Sequence, residues 1–385
     1  MRIALASWET LHSIAVGGVA VHVSELACAL ERRGHEVHVF TRQPGDRPAD
    51  ECIDGVFYHH CEFELHPDFV TEINNMCESI AHRFGEVQDF SGPFDIFHAH
   101  DWLTARALMQ VQGMTGSRTV FTMHSTEYGR SGNHFNGGSS ERVMGEEREG
   151  VHCADQVIAV SHTLKDELCW MYEVPDWKVK VIYNGVNMEQ YDGFIDQGEV
   201  KQRYGIGPLD PMILFVGRMT YQKGPDLLLE SAPHILGHYP DATFVFAGDG
   251  DMKPGLEEEA DAMGIGNSCR FLGHRNPDEI ADLYRASNLV TVPSRNEPFG
   301  IVILEAWSAG KPVVSTENGG PSEFVWHEVT GLRTHATVDS VSWGVGELLK
   351  APDRARWMGH NGRIAVETAF SWDAVAEHTE EVYTS

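Results

Sequence analysis

Arg218 and Lys223 stand five residues apart in Gly217-Arg218-Met219-Thr220-Tyr221-Gln222-Lys223-Gly224, directly after the apolar run Met212–Val216. A guanidinium holds a diphosphate as a fork and an ammonium holds it as a point charge, so two cations at a strand end suit such an anion. A solvated surface pair would account for either residue alone. Further on, Glu297 and Glu305 are separated by seven residues in Arg295-Asn296-Glu297-Pro298-Phe299-Gly300-Ile301-Val302-Ile303-Leu304-Glu305-Ala306. Glu297 falls at a loop tip and Glu305 inside an apolar helical segment. A carboxylate is costly to bury there unless something hydrogen-bonds to it. A sugar or ribose hydroxyl would serve, as would a buried arginine. Gly300 and Ile301, at the helix start, offer amides that could meet the same anion as Arg218 and Lys223. Upstream, Gly17-Gly18 precedes a helix at Val19, where backbone amides can approach a phosphate. A plain strand-to-helix turn explains that pair equally well, and the G-x-G-x-x-G spacing of a nicotinamide site is missing.

The elements that position these residues alternate between short apolar runs and amphipathic segments of helix length, the pattern of parallel α/β layers. One series runs through strands at Ile3–Ala6, Glu36–Thr41, Ile96–His98, Thr119–Met123 and Gln156–Val160, with helices near Val19–Arg33, Leu103–Gln112 and from Ser161. A second runs through strands at Met212–Val216, Thr243–Ala247, Cys269–Leu272, Leu289–Val292 and Pro312–Ser315, with helices near Pro225–Leu236 and Leu256–Met263. The expected fold is α/β, with an N-terminal Rossmann-like domain over residues 1–190 and a C-terminal Rossmann-like domain over 212–370. Tyr191–Pro211, with its glycines and prolines, is the expected linker. A terminal helix over 371–385 is placed to pack back on the first domain. In open parallel sheets ligands bind beyond the carboxyl ends of the strands, so two such domains facing each other would enclose a cleft.

Composition narrows the partners. With 57 acidic against 29 basic residues the formal charge is -28, which disfavours nucleic acid and anionic membrane surfaces. The acidity fits an ordinary acidic cytosolic protein or a carboxylate surface adapted to high salt. Seven cysteines with no C-x-x-C spacing suggest neither a disulfide framework nor a zinc finger, and point to a reducing cytoplasm. No apolar run reaches the roughly 18 residues of a membrane span, and the first residues read as a strand rather than a signal peptide. Gly248-Asp249-Gly250-Asp251 superficially resembles a metal-binding Asp-x-Asp but sits at a turn after a strand, and His98 and His100 suit a packed strand end. No metal site is expected.

The ordered set of motifs resembles the retaining glycosyltransferases of family 4 and the glycogen and starch synthases. It comprises Gly17-Gly18, His98-Ala99-His100-Asp101-Trp102, Thr122-Met123-His124, Tyr183-Asn184-Gly185-Val186, Gly217-Arg218 with Lys223-Gly224, Gly248-Asp249-Gly250, Glu297 to Glu305, and Gly319-Gly320. The nearest resemblance is to the short glycogen synthase-like enzymes of bacteria and archaea, including maltose 1-phosphate synthases. It implies the two-domain GT-B fold, a nucleoside diphosphate sugar as donor, a saccharide acceptor and no required cofactor. It also implies roles for individual residues. Arg218 and Lys223 would stabilise the departing diphosphate, Glu297 would hold the donor sugar near its reacting carbon, and Glu305 would hold the ribose. His124 and Asn184 would contact the donor sugar, with Gly17, Gly18, Phe299, Gly300 and Ile301 lining the donor site. Asp101, Tyr128 and Arg130 would lie on the acceptor side, where the polar segment 124–138 is a candidate lid and Arg130 and Arg142 could hold a phosphorylated acceptor. Asn184 stands where the family often has Asp, and Pro321 where many glycogen synthases have Leu or Ile, which leaves the acceptor and subgroup open.

No carboxylate pair suits double displacement, so retention would come from departure of the diphosphate and attack on the same face. The expected donor is ADP- or UDP-glucose; GDP-mannose and a small acceptor such as a sugar phosphate or glycerate are the alternatives. A phosphorylase would need a pyridoxal-bearing lysine with no evident candidate here, and a non-catalytic sugar-nucleotide sensor would have lost His124, Asn184 and Glu297.

Overall fold

Strands buried at every position are covered on both faces, the condition of a parallel sheet between helical layers. Arg2–Ala6, Thr243–Ala247 and Leu289–Val292 are buried at every position. The computed structural model describes residues 1–45 and 47–385. It comprises two units, Met1–Asn184 with Trp372–Ser385, and Gly185–Ser371.

The first unit holds β1 (Arg2–Ala6), β2 (Glu36–Arg42), β3 (Asp50–Ile53), β4 (Val56–Cys61), β5 (Ile96–His100), β6 (Arg118–Met123), β7 (Gln156–Ala159) and β8 (Val179–Val181). Their order is β3-β4-β2-β1-β5-β6-β7-β8, and only the β3–β4 hairpin is antiparallel. That hairpin and the long helix Phe69–Ser91 are absent from the sequence reading. The hairpin had a legible signal in Asp54-Gly55, both at positive φ (49° and 81°), the requirement of a two-residue turn that follows strand twist. Helix Gly18–Arg32 buries Val23, Leu26 and Leu30 on the sheet, and the terminal helix Trp372–Thr384 adds Trp372, Val375, Ala376, Val382 and Tyr383 to the same core. Each fully buried apolar side chain of this size contributes about 1.5–3 kcal/mol before entropy is counted.

The second unit holds β9 (Met212–Val216), β10 (Thr243–Ala247), β11 (Cys269–Gly273), β12 (Leu289–Val292), β13 (Val313–Thr316) and β14 (Gly331–Thr334). All are parallel, in the order β11-β10-β9-β12-β13-β14. Counted from β9 this is the strand order of dinucleotide-binding folds, which leaves a crevice outside the carboxyl ends of β9 and β12 where the order reverses. In the first unit the corresponding crevice lies between β1 and β5.

The expected linker differs from what is found. The units divide after Asn184, and residues 191–211 belong to the second unit. This stretch carries helix Gln197–Arg203, whose first amides are capped by the Asp196 carboxylate at 2.9 and 3.1 Å. Tyr191 is buried against Tyr284, the ring centroids 5.7 Å apart. The glycines and prolines there serve turns around a short docked helix, which composition alone does not distinguish from a free connection.

Candidate active site

In the second unit, β9 ends at Val216 and the chain turns through Gly217, at φ 148°. It then makes a single 3-10 turn, Tyr221–Lys223, before Gly224 opens helix Pro225–Leu236. Gly224 has φ 65°, and a β-carbon there would lie 2.3 Å from the Pro293 carbonyl oxygen, so the loops after β9 and β12 touch backbone to backbone. The Arg295 amide donates to the Gln222 carbonyl across the same contact at 2.8 Å. This closeness brings Lys223 Nζ to 2.8 and 2.9 Å from the two Glu297 carboxylate oxygens. Ser294 donates its hydroxyl to the same carboxylate at 2.8 Å. Glu297 is only 3% exposed, and a buried carboxylate persists when such donors satisfy it.

Two glycine pairs hold these loops. The Glu297 amide donates to the Asn318 carbonyl at 3.0 Å and its carbonyl accepts from Gly320 at 2.9 Å. A β-carbon on Gly319 would lie 2.1 Å from the Glu297 carbonyl oxygen. Likewise Gly248 and Gly250 would place β-carbons 2.0 and 2.4 Å from the carbonyl oxygens of Gly217 and Met219. Gly248-Asp249-Gly250 therefore buttresses the loop that bears Arg218, and Asp249 accepts from its neighbour's amide at 2.9 Å. Arg295 forks onto Asp226 at 2.9 and 2.6 Å and stacks on Tyr221. Arg218, by contrast, is exposed, and its guanidinium makes no hydrogen bond or ion pair among the described residues. Helix Ile301–Ser308 starts at Gly300, φ 100°, with no side-chain cap; the Ile303 amide donates to the Gly300 carbonyl at 2.9 Å, which leaves the Ile301 and Val302 amides for another acceptor. Glu305, one turn from the end of that helix, accepts the Tyr284 hydroxyl at 2.6 Å, and burial pushes its carboxyl above the usual range.

The first unit collects histidines instead of charges. His100 ends β5, His124 follows β6, and His22 lies in helix Gly18–Arg32 after β1. His100 Nδ1 lies 3.2 Å from His124 Nε2, and the His22 ring meets that of His124 edge-on at 4.6 Å. His22 Nδ1 is 2.7 Å from the Asn184 side-chain oxygen. Asp101, at φ 57°, accepts the His124 amide at 2.8 Å. Burial holds His22 and His100 well below the ordinary imidazole range and His124 down at about 3, so all three are neutral near pH 7.

Comparison with known proteins places this geometry. Residues 16–190 match the model described as Glycosyltransferase Family 4, and residues 196–365 the model described as Glycosyl transferases group 1. Over its whole length the chain is 37% identical to an uncharacterized glycosyltransferase of Methanocaldococcus jannaschii, covering 98% of that protein. It belongs to this glycosyltransferase family. A glycogen synthase of Mycobacterium tuberculosis is 29% identical across the whole chain and 94% of its own length. A D-inositol 3-phosphate glycosyltransferase of Thermobispora bispora is 31% identical across 96% of this chain and 90% of its own. Among solved structures, sucrose-phosphate synthase from Thermosynechococcus elongatus superposes with a TM-score of 0.85 at 23% identity, covering 100% of this chain and 98% of that one. The glycosyltransferase thus has the GT-B fold.

Within the glycosyltransferase, the residues expected to act on the donor fall into two groups by unit. The second unit brings together Lys223 and Glu297 and sets Arg218, Gly300 and Ile301 on the neighbouring loop and helix start. Phe299 turns inward against Phe324 and Phe370, with centroids at 5.1 and 6.4 Å, so its side chain serves the core. The first unit joins His124, Asp101 and Asn184 through His22. The Gly17 and Val16 amides donate to the Glu9 carboxylate at 2.7 and 2.6 Å, so an internal anion occupies the glycine turn. Gly18 begins the following helix. On the expected acceptor side, Arg130 is committed to Glu147 at 2.5 Å and to Glu127 at 3.2 Å, and Arg142 to Asp68 at 2.9 Å. Tyr128 packs on Phe135, centroids 4.8 Å apart. The polar segment 124–138 is partly ordered by the short helix Glu127–Arg130. Sequence reasoning passed over Glu9, Ser294 and His22. Glu9 and Ser294 are unremarkable singly, and His22 carries its only signal in being a polar residue on the apolar face of a helix.

Among the described residues no helix is long and apolar enough to cross a membrane.

Proposed function

We propose that this glycosyltransferase moves a hexose, glucose in the first instance, from ADP- or UDP-glucose to a saccharide hydroxyl with retention at the anomeric carbon, as a glycogen synthase-like enzyme. The observation that carries the reading is Lys223 bridged to buried Glu297 at the β9/β12 crevice, beside exposed Arg218 and the uncapped helix start at Gly300. A diphosphate would take its charge compensation from Arg218, Lys223 and the Gly300 and Ile301 amides. Glu297 would receive donor-sugar hydroxyls and Glu305 the ribose. His124 and Asn184 would meet the sugar as neutral partners. The bond from the anomeric carbon to the diphosphate oxygen breaks with its electron pair on the diphosphate. The acceptor oxygen bonds to the same face and passes its proton to the departing phosphate oxygen. Positioning and charge compensation supply the catalysis, so turnover needs no divalent metal.

The 29% identity to a glycogen synthase supports the saccharide acceptor. The 31% identity to a D-inositol 3-phosphate glycosyltransferase favours a second reading, a small phosphorylated acceptor. The pairing of Arg130 with Glu147 and of Arg142 with Asp68 ranks that reading second, because either cation would have to leave an acidic partner. The test incubates the protein, with and without EDTA, with ADP-glucose, UDP-glucose and GDP-mannose against maltooligosaccharides, glucose 1-phosphate, inositol 3-phosphate and glycerate, and assigns product anomers by NMR. α-Linked chain extension that survives EDTA is expected. Exclusive transfer to a phosphorylated acceptor would establish the second reading, a β-linked product would exclude retention, and loss in EDTA with magnesium rescue would overturn metal independence.

A further inference from the structure

The first unit's histidine cluster carries more polar capacity than a donor-sugar contact uses. His22, His100 and His124 each offer a ring nitrogen within 4.8 Å of the other two. Two of these rings are almost wholly enclosed, His22 at 4% and His100 at 1% exposure, and the Nε2 atoms of both are buried with no hydrogen-bond partner. Buried ring nitrogens are ordinarily satisfied, so the His22 Nε2 orphan, on a ring that meets those of His100 and His124 edge-on, asks for a ligand, while His100 turns Nδ1 rather than its own orphan Nε2 toward His124. With the Asn184 oxygen as acceptor, His22 carries its proton on Nδ1 and presents the Nε2 lone pair. His98 differs: it is satisfied at both nitrogens, by Tyr383 and Thr122, each at 2.7 Å.

We propose that His22, His100 and His124 bind one divalent transition-metal ion of the Zn2+ class, and that the bound ion withdraws His124 from the donor sugar and shuts the enzyme off. Neutral imidazoles are the ligand form, and three of them with an open fourth position is an established arrangement for zinc. Tetrahedral bonds of about 2.0–2.1 Å set nitrogens about 3.3 Å apart. His100 Nδ1 and His124 Nε2 already stand 3.2 Å apart and would bind through those atoms, and His22 offers its ligand nitrogen within 4.8 Å of both. Asn184 orients His22 from behind, as outer-sphere partners do, and the buried Asp101 carboxylate on the His124 amide adds favourable negative charge. The ion is an inhibitor rather than a cofactor here, consistent with metal-independent turnover. The shut-off rests on the role proposed above for His124; the binding does not.

Chelator-stripped full-length protein is titrated with Zn2+ by calorimetry and with Co2+ by visible absorption. One ion per chain is expected, with tetrahedral Co2+ bands and no thiolate charge-transfer band. His22→Gln and His100→Gln should each weaken binding by about 100-fold, and Asn184→Ala by roughly 10- to 100-fold. His335→Gln, an exposed histidine elsewhere, should leave it unchanged. A thiolate band, or full affinity in folded His22→Gln and His100→Gln, overturns the site. If those variants do not fold, anomalous diffraction from zinc-soaked wild-type crystals decides: a peak among the three rings supports the site, and peaks only elsewhere overturn it. Saturating Zn2+ should lower transfer by about tenfold or more, the loss of one substrate hydrogen bond. An ion seated on the three histidines with undiminished transfer overturns the shut-off and leaves the binding, whereas absence of transfer under every condition bears on the proposed reaction alone.

Discussion

The two sheet crevices solve the same problem with opposite chemistry. Beyond β9 and β12 the groups are charged: Lys223 is neutralised by Glu297, and Arg218 is held in solvent. Beyond β1, β5 and β6 they are neutral, His22 and His100 buried and His124 half-buried, because enclosure keeps all three unprotonated. A charged site must retain its counter-charge or its solvent, so its loops are clamped by glycines that let backbone meet backbone. A neutral site can be enclosed by a helix and strand ends, and pays only in unsatisfied ring nitrogens.

If charge makes the difference, removing it should have the largest effect. Lys223→Ala should lower kcat/KM by roughly 10²- to 10³-fold, the usual consequence of losing one preorganised charge-stabilising donor. His124→Gln, which removes a neutral contact, should lower it by about tenfold. Steady-state kinetics with a glucosyl donor would check both, and equal losses would break the comparison. The glycine clamps come next. Gly319→Ala meets a carbonyl oxygen at 2.1 Å with φ 103°, so neither conformation nor neighbour can yield. A destabilisation of about 3 kcal/mol is expected, against at most about 0.5 kcal/mol for Gly116→Ala, which meets nothing within 4 Å. Thermal melts of the two variants side by side would show it.

The two glutamates of the second unit should also separate. Glu297→Gln should depress kcat more than donor affinity, while Glu305→Ala should mainly raise KM for the donor, by about tenfold. Parallel changes in both constants for both variants would erase the distinction. The smallest effect belongs to the first unit's terminal helix. The Arg33 guanidinium, with His35 behind it, holds the Glu380 carboxyl down at about 2. A depressed carboxyl contributes stability that is fully present above its unfolded value of about 4.3 and is lost as pH falls through the folded value. Unfolding titrations between pH 5 and pH 2 should therefore show about 1 kcal/mol of loss, discounted for solvent screening, that Glu380→Gln abolishes. A pH slope unchanged in that variant would remove the pair from the account.

Much of this was legible without coordinates, for physical reasons. Fully buried parallel strands are continuous apolar runs, so Met212–Val216, Thr243–Ala247 and Leu289–Val292 have the same bounds in sequence and structure. The positions of Arg218, Lys223, Glu297 and Glu305 relative to strand ends followed from the same runs, and the family followed from the order of the motifs. What sequence could not supply was contact across the sheet. That Lys223 neutralises Glu297, that Glu305 rests on Tyr284 rather than an arginine, and that Glu9 fills the turn at Gly17 are pairings between residues 8 to 74 positions apart. Nothing in local pattern selects such partners. The histidines show the limit most plainly: His22, His100 and His124 are separate motifs along the chain, and only the strand order that sets β1 beside β5 and β5 beside β6 makes them one cluster.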